Sequence, residues 1–294
     1  MSPATLRQRR GVLRVGAWGG RPRNGPDPVH RGQDEPIAAL LLIPALIAAG
    51  LVAVWVMRAR GAVIDPYQPR SVWVRAGVFF VVAWAFSAAT GTLGTILDQP
   101  IATSDQLENP RWIAMAVLCF VVVTILYAGT WASLTLVFDR RQYLVPALLF
   151  GVVWGLSTGQ LLVSFYHLAD RTDLPRWGVW IVAYLAMSAW QALFHDLFWD
   201  VYVSPEHDTP RSIRLKILVA HVPNVTLALT FLVIWNNYLL FVLIETVALV
   251  SATVFQRFPA PWATEPIDAP DTEPGLLGLP HAAGFQGDPA GARR

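Results

Sequence analysis

Seven long apolar runs constrain this chain more than any other feature of its sequence. They cover approximately residues 37–57, 74–97, 112–137, 144–166, 177–201, 213–235 and 238–256. A helix needs roughly 20 apolar residues to cross a bilayer, and backbone groups in lipid must be hydrogen-bonded internally. Because the runs are continuous and do not alternate as barrel strands do, we predict an all-α transmembrane bundle with seven candidate spans. Six spans remain if the first segment does not cross.

The composition supports a bilayer as the main partner of this chain. Hydrophobic residues make up 54% of it and charged residues only 14%, whereas a soluble domain carries about a quarter charged residues. The net charge of +2 gives no basic surface for nucleic acid. A single cysteine, Cys119, excludes an internal disulfide.

The chain divides into three parts by composition. Residues 1–36 form a basic tail and residues 258–294 an acidic, Pro/Gly-rich tail, and both are too polar to build a core, so we expect them to be disordered. Residues 37–257 form the bundle. Its last two runs are one apolar block interrupted only by Asn236 and Asn237, which predicts a tight helical hairpin.

The distribution of arginines predicts the orientation. Arginines are concentrated in the loops after the first, third and fifth runs, which favours a cytoplasmic location for those loops and for the C-terminus. The expected location is a cell membrane of the bacterial inner-membrane type, with several passes. The tail 1–36 conflicts with this topology because it carries seven arginines. Either the natural start lies downstream, for example at Met57, or the first segment does not cross.

Ionisable side chains inside the spans are the candidates for chemistry. Burying such a group costs roughly 2.5–3.5 kcal/mol on insertion scales, so it usually faces the bundle interior or a cavity. His195 in the fifth run and His221 in the sixth are expected at similar depth in the cytoplasmic leaflet, and Asp196 adjoins His195. Glu245 lies near the middle of the seventh run. We predict His195, Asp196, His221 and Glu245 as catalytic residues.

A metal site is a second interpretation of the same region. His195, Asp200, His207 and His221 combine the imidazole and carboxylate groups that bind zinc, iron, manganese or copper. No HExxH motif or repeated histidine box supports this interpretation. Without a metal, the same residues could form an acid–base pair or a proton relay, since histidine titrates near neutral pH.

Other residues predict how the helices pack around this region. Pro223 cannot donate a backbone hydrogen bond to Val219, so the sixth run should be interrupted there. Ser188, Gln191 and His195 form a polar stripe that needs an interior partner. Gly151, Gly155 and Gly159 share a face on which helix backbones can approach closely, within the chain or in a homo-oligomer or other complex. Lys216 is expected at the interface, paired with Asp200 or Asp208.

Three functional hypotheses follow from these observations. The first is a membrane-embedded enzyme, with or without a metal ion, that acts on a lipid or another hydrophobic substrate. The second is a small proton-coupled transporter that uses Glu245 and the interrupted sixth run. The third is a non-catalytic membrane subunit that docks a partner through the glycine face.

Overall fold

The computed structural model describes residues 39–59, 69–131, 142–198 and 214–263, with side chains described in 39–56, 69–131, 142–193 and 214–263. These residues form helices and connecting turns, and no strand occurs among them. The helices are α1 (Leu42–Ala59), α2 (Pro69–Ala89), α3 (Thr92–Asp98), α4 (Ser104–Leu107), α5 (Pro110–Trp131), α6 (Leu144–Asp170), α7 (Arg176–Phe198), α8 (Arg214–Trp235) and α9 (Tyr238–Phe255). The prediction of an all-α fold is confirmed for these ranges.

Five of these helices are long and apolar enough to cross a membrane, namely α2, α5, α6, α8 and α9. Such a set is what a multi-pass membrane protein requires. In α1 the apolar stretch is shorter, Leu42–Val56, and the sequence of α7 contains polar residues such as Ser188 and Gln191. The count of seven spans is therefore not confirmed. Both predicted tails lie largely outside the described residues.

The glycine face of α6 brings this helix into close contact with α9. A Cβ atom added at Gly151 would lie 2.5 Å from Cα of Val250, one at Gly155 2.5 Å from Cα of Thr246, and one at Gly159 3.0 Å from Cα of Val242. The contacts advance along α6 as they recede along α9, so the two helices are antiparallel. This confirms close packing through small residues. The face that was also predicted to dock a partner is thus covered by α9 of the same chain.

The turn between α8 and α9 is held by hydrogen bonds to the segment between α3 and α5. Asn236 adopts a left-handed conformation with φ 50°, and its carbonyl oxygen accepts from Gln99 Nε2 at 3.1 Å. Asn237 Nδ2 donates to the Ile101 carbonyl oxygen at 2.9 Å. Asn237 Oδ1 caps α9 by accepting from Leu240 N at 3.1 Å. Asn236 and Asn237 end one helix and begin the next, which confirms the hairpin.

Replacing Asn237 with alanine should lower the free energy of unfolding by about 1–2 kcal/mol, because the cap of α9 is lost together with a link to the neighbouring segment. Unfolding by SDS titration in mixed micelles, followed by circular dichroism, measures this change. Ser251→Ala is the control, since Ser251 Oγ donates to the carbonyl of Val247 within its own helix. Equal stability of the two variants would contradict a structural role for the turn.

The second apolar run is not one continuous helix. It breaks between α2 and α3, where Gly91 has φ 72°. Thr90 Oγ1 bonds the Ser87 carbonyl oxygen at 3.2 Å and Thr92 Oγ1 at 2.8 Å, and the Thr90 carbonyl accepts from Arg171 Nη1 at 3.3 Å. These bonds satisfy polar groups released by the break. Gly91 therefore permits a turn, and nothing lies within 4 Å of a Cβ placed on it.

The chain after α9 folds back onto the bundle. Phe258 is fully buried and its ring stacks on Phe150 with the centroids 3.7 Å apart. The Pro259 carbonyl oxygen accepts from Trp73 Nε1 at 3.0 Å. The packed part of the chain therefore extends to Ala263, beyond the boundary expected at residue 257.

Candidate functional site

Two π-helical turns meet where α5 and α8 pack together. One covers Leu126–Trp131 at the end of α5, and the other covers Ile217–His221 near the start of α8. The second directly precedes Pro223, which confirms the predicted interruption: Val222 N bonds the carbonyl of Ile217, five residues earlier. Turns of this kind are rare in proteins overall, and those that occur are often found at functional sites. They direct Tyr127, Trp131 and His221 toward one another.

His221 lies at the centre of this contact. Its Nδ1 atom is 3.2 Å from the hydroxyl oxygen of Tyr127, and its ring meets that of Trp131 edge-on with the centroids 4.5 Å apart. His221 is seven positions after Arg214, so it lies about 10 Å along the helix from that end. A half-buried imidazole at this depth, hydrogen-bonded to a phenol, can accept or donate a proton.

Glu245 approaches the same tyrosine from the other side. Asn224 and Gln191 also lie near this tyrosine. Glu245 is 2% exposed, and its Oε2 atom has no hydrogen-bond partner in the described part of the chain, nor does Oδ1 of Asn224. Buried polar atoms are normally bonded. This pair of unpaired oxygens therefore marks the region around Tyr127 as one where packing alone does not explain the residues.

Lys216 is fully buried at the start of the π-helical turn in α8. Its Nζ atom lies 5.1 Å from the ring centroid of Trp131, a distance typical of a cation–π interaction. The side chain was expected at the interface, but the helix turns it into the bundle. Asp200 and Asp208, its predicted partners, lie outside the described residues.

Two cavities adjoin His221. The inner cavity, of about 30 Å³, is lined by Tyr127, Trp131, Trp154, Thr158, Trp190, Gln191, His221, Leu249, Ala252 and Gln256. A groove of about 180 Å³ between α7 and α8 is lined by Tyr184, Ser188, Gln191, Ala192, Ile217, His221, Val222 and Val225. His221 and Gln191 line both cavities. They therefore form the boundary between the inner cavity, whose wall contains tryptophan side chains, and the groove on the outside of the bundle.

The structure brings together two of the predicted catalytic residues, His221 and Glu245, through Tyr127. For His195 and Asp196, it describes the backbone only, which lies in the last turns of α7. The stripe to which His195 was assigned does face α8, since Ser188 and Gln191 line the groove.

The predicted metal site stays a prediction. Of its four ligands, only His221 has a described side chain; that of His195 is not described, and Asp200 and His207 lie in the segment 199–213, outside the described residues. Within the described ranges, no three His, Cys, Asp or Glu side chains come close enough to hold a metal ion.

Sequence reasoning missed the aromatic side chains of the site. Tyr127, Trp131, Trp154 and Trp190 lie on three different helices, and each is an ordinary residue of an apolar run when the runs are taken singly. The sequence gives a weak indication for Tyr127, because a buried tyrosine hydroxyl needs a hydrogen-bond partner. Which helix supplies that partner depends on helix rotation and could not be derived from one sequence.

The site thus combines a His–Tyr hydrogen bond, a nearby buried carboxylic acid and an apolar approach from the side of the bundle. No protein-family model, no curated protein and no solved structure matches this chain.

Proposed function

We propose that this protein is a multi-pass membrane enzyme that carries out acid–base chemistry on a lipid or another hydrophobic substrate, with His221 as its central residue. The observation that carries this proposal is the position of His221, hydrogen-bonded to Tyr127, at the boundary between the groove and the inner cavity. Concave sites lined by aromatic residues with a few convergent polar groups are typical of ligand-binding sites. Seven spans with a cytoplasmic C-terminus remain the proposed topology.

The roles of the two residues follow from their hydrogen bond. The phenol of Tyr127 contacts Nδ1 of His221 at 3.2 Å, so it orients the imidazole. The oriented imidazole then acts on the substrate as general acid or base. Glu245 acts through Tyr127, as a positioning residue.

Turnover of membrane lipids tests the proposal. Proteoliposomes made from a total lipid extract of the source cells are incubated with the protein, and lipid species are followed over time by mass spectrometry. We expect a time-dependent conversion that His221→Gln lowers by about 10²–10⁴-fold, the usual contribution of a general acid–base group. Tyr127→Phe should lower it less, because the imidazole remains.

A matched control exists at the opposite end of the bundle. His167 Nδ1 lies 3.5 Å from the Tyr238 hydroxyl, so it forms a second His–Tyr pair away from the cavities. His167→Gln should leave turnover unchanged. Absence of any conversion by the unmodified protein, or conversion that survives in His221→Gln, would overturn the proposal.

Proton-coupled transport is the second candidate, and the unpaired carboxylic oxygen of Glu245 favours it. In a transporter, this group would exchange a proton as the substrate passes along α8. Uptake into proteoliposomes that follows a pH gradient, without conversion of the solute, would distinguish it from an enzyme.

A further inference from the structure

The groove between α7 and α8 opens on a face of the bundle that carries exposed apolar side chains. On α8, Ile217 is 41% exposed and Val222 38% exposed, and nothing in the described residues covers them. Toward the opposite end of the two helices, Trp180 Nε1 donates to Thr230 Oγ1 at 3.3 Å and joins α7 to α8. The two helices are therefore held together at that bond, and a cavity separates them near His221.

The size and lining of the groove indicate an alkyl chain as its occupant. Its volume of about 180 Å³ slightly exceeds that of an apolar cavity of about 150 Å³ that holds benzene. Its wall is apolar at Ala192, Val222 and Val225 and becomes polar only at Ser188, Gln191 and His221. A short length of chain fits there, and the rest of the molecule can remain in the bilayer.

The volume of the inner cavity limits the size of the polar group at the end of that molecule. Its volume of about 30 Å³ is enough for roughly two water-sized groups, because one water needs about 10–15 Å³ by the same measure. The indoles of Trp131, Trp154 and Trp190 form its sides. A hydroxyl, aldehyde or carboxyl group fits this space beside His221, and a phosphate ester of glycerol exceeds its volume.

We infer that the groove binds a single-chain lipid whose polar end is no larger than a carboxyl group, and that this lipid enters sideways from the bilayer between α7 and α8. The inference deepens the proposed function and rests on it for the chemistry at His221. The binding itself rests on the two cavities alone. We expect a two-chain phospholipid to bind less well, because its headgroup exceeds the volume of the inner cavity.

Photolabelling of the full-length protein in proteoliposomes tests this inference. The probe is a long-chain alkyl alcohol that carries a diazirine in its chain, and the comparison probe is phosphatidylcholine with the same diazirine chain. We expect the alcohol to label peptides of α7 and α8 and an excess of unlabelled long-chain alcohol to suppress that labelling. Phosphatidylcholine should label lipid-facing helices without preference for the groove.

Two alanine-to-phenylalanine variants make the test specific. Ala192→Phe fills the groove and should reduce labelling of α7 and α8 by the alcohol about tenfold. Ala85→Phe adds the same ring on a lipid-exposed position of α2 and should leave labelling unchanged. Equal labelling of the groove by phosphatidylcholine, or labelling that persists in Ala192→Phe, would overturn the inference.

The outcomes separate this inference from the proposed function. If the alcohol labels the groove and no lipid is turned over, the binding site is supported and the proposed enzymatic function is overturned. Turnover of two-chain phospholipids that depends on His221 supports the enzyme and overturns the single-chain substrate.

Discussion

Replacing Gly155 with leucine should separate α6 from α9 and lower the free energy of unfolding by at least about 3 kcal/mol. Even a Cβ atom at this position would lie 2.5 Å from Cα of Thr246, which is backbone and cannot turn aside. Overpacking that flexible side chains can absorb costs about 1–3 kcal/mol, so a clash with backbone belongs at or above the upper end. SDS titration of the purified protein in mixed micelles measures the effect.

Gly77→Leu is the matched control for that substitution. Gly77 lies within α2, and nothing is within 4 Å of a Cβ placed on it. The Gly77→Leu protein should be as stable as the unmodified protein or up to about 1 kcal/mol more stable, because glycine is unfavourable inside a helix. If Gly155→Leu unfolds at the same SDS fraction as Gly77→Leu, the contact between α6 and α9 is not as close as the structure has it.

Replacing Glu245 with methionine should have two opposite effects. The free energy of unfolding should rise by about 1–3 kcal/mol. The carboxylic acid is buried, and its Oε2 atom lacks a partner in the described chain. A polar atom that is buried without a hydrogen bond has lost its contacts with water and gained nothing in return. The conversion of lipid, or pH-driven uptake, should fall. A gain in stability together with a loss of function is the behaviour of a residue retained for its chemistry.

Glu245→Gln separates charge from polarity at the same position. Glutamine keeps the size and hydrogen-bonding capacity, so it should not gain the stability that methionine gains. Unfolding in SDS and turnover in proteoliposomes are measured for both variants. Loss of stability in Glu245→Met would contradict the interpretation, because it would mean that Glu245 has a structural role in the bundle.

Features set by local sequence could be predicted, and several of them position the site. Pro223 lacks a backbone donor, and α8 contains a π-helical turn just before it. The doublet of Asn236 and Asn237 is a turn signal inside an apolar block, and it forms the α8–α9 turn. The glycines of α6 allow close contact with a neighbouring helix because they carry no side chain, although the sequence did not say which helix.

Features set by the rotation of one helix against another could not be predicted. The contact between Tyr127 and His221 joins residues 94 positions apart in the chain. It depends on two π-helical turns, and only the one beside Pro223 carries a sequence signal. The break at Gly91 was also missed, since the run around it is apolar enough to read as a continuous span.

The π-helical turn of α8 also fixes which way the residues before it point. Such a turn holds one residue more than an α-helical turn, so the segment from Arg214 to Lys216 is rotated by about 100° relative to a regular helix. That extra rotation accompanies the burial of Lys216 beside Trp131. The rotation that the π-helical turn introduces therefore determines which side chains make the bundle interior polar at this level. If one residue between Lys216 and Pro223 were deleted, the residues before the deletion would be rotated about the helix axis. A different face of the helix would then point into the bundle.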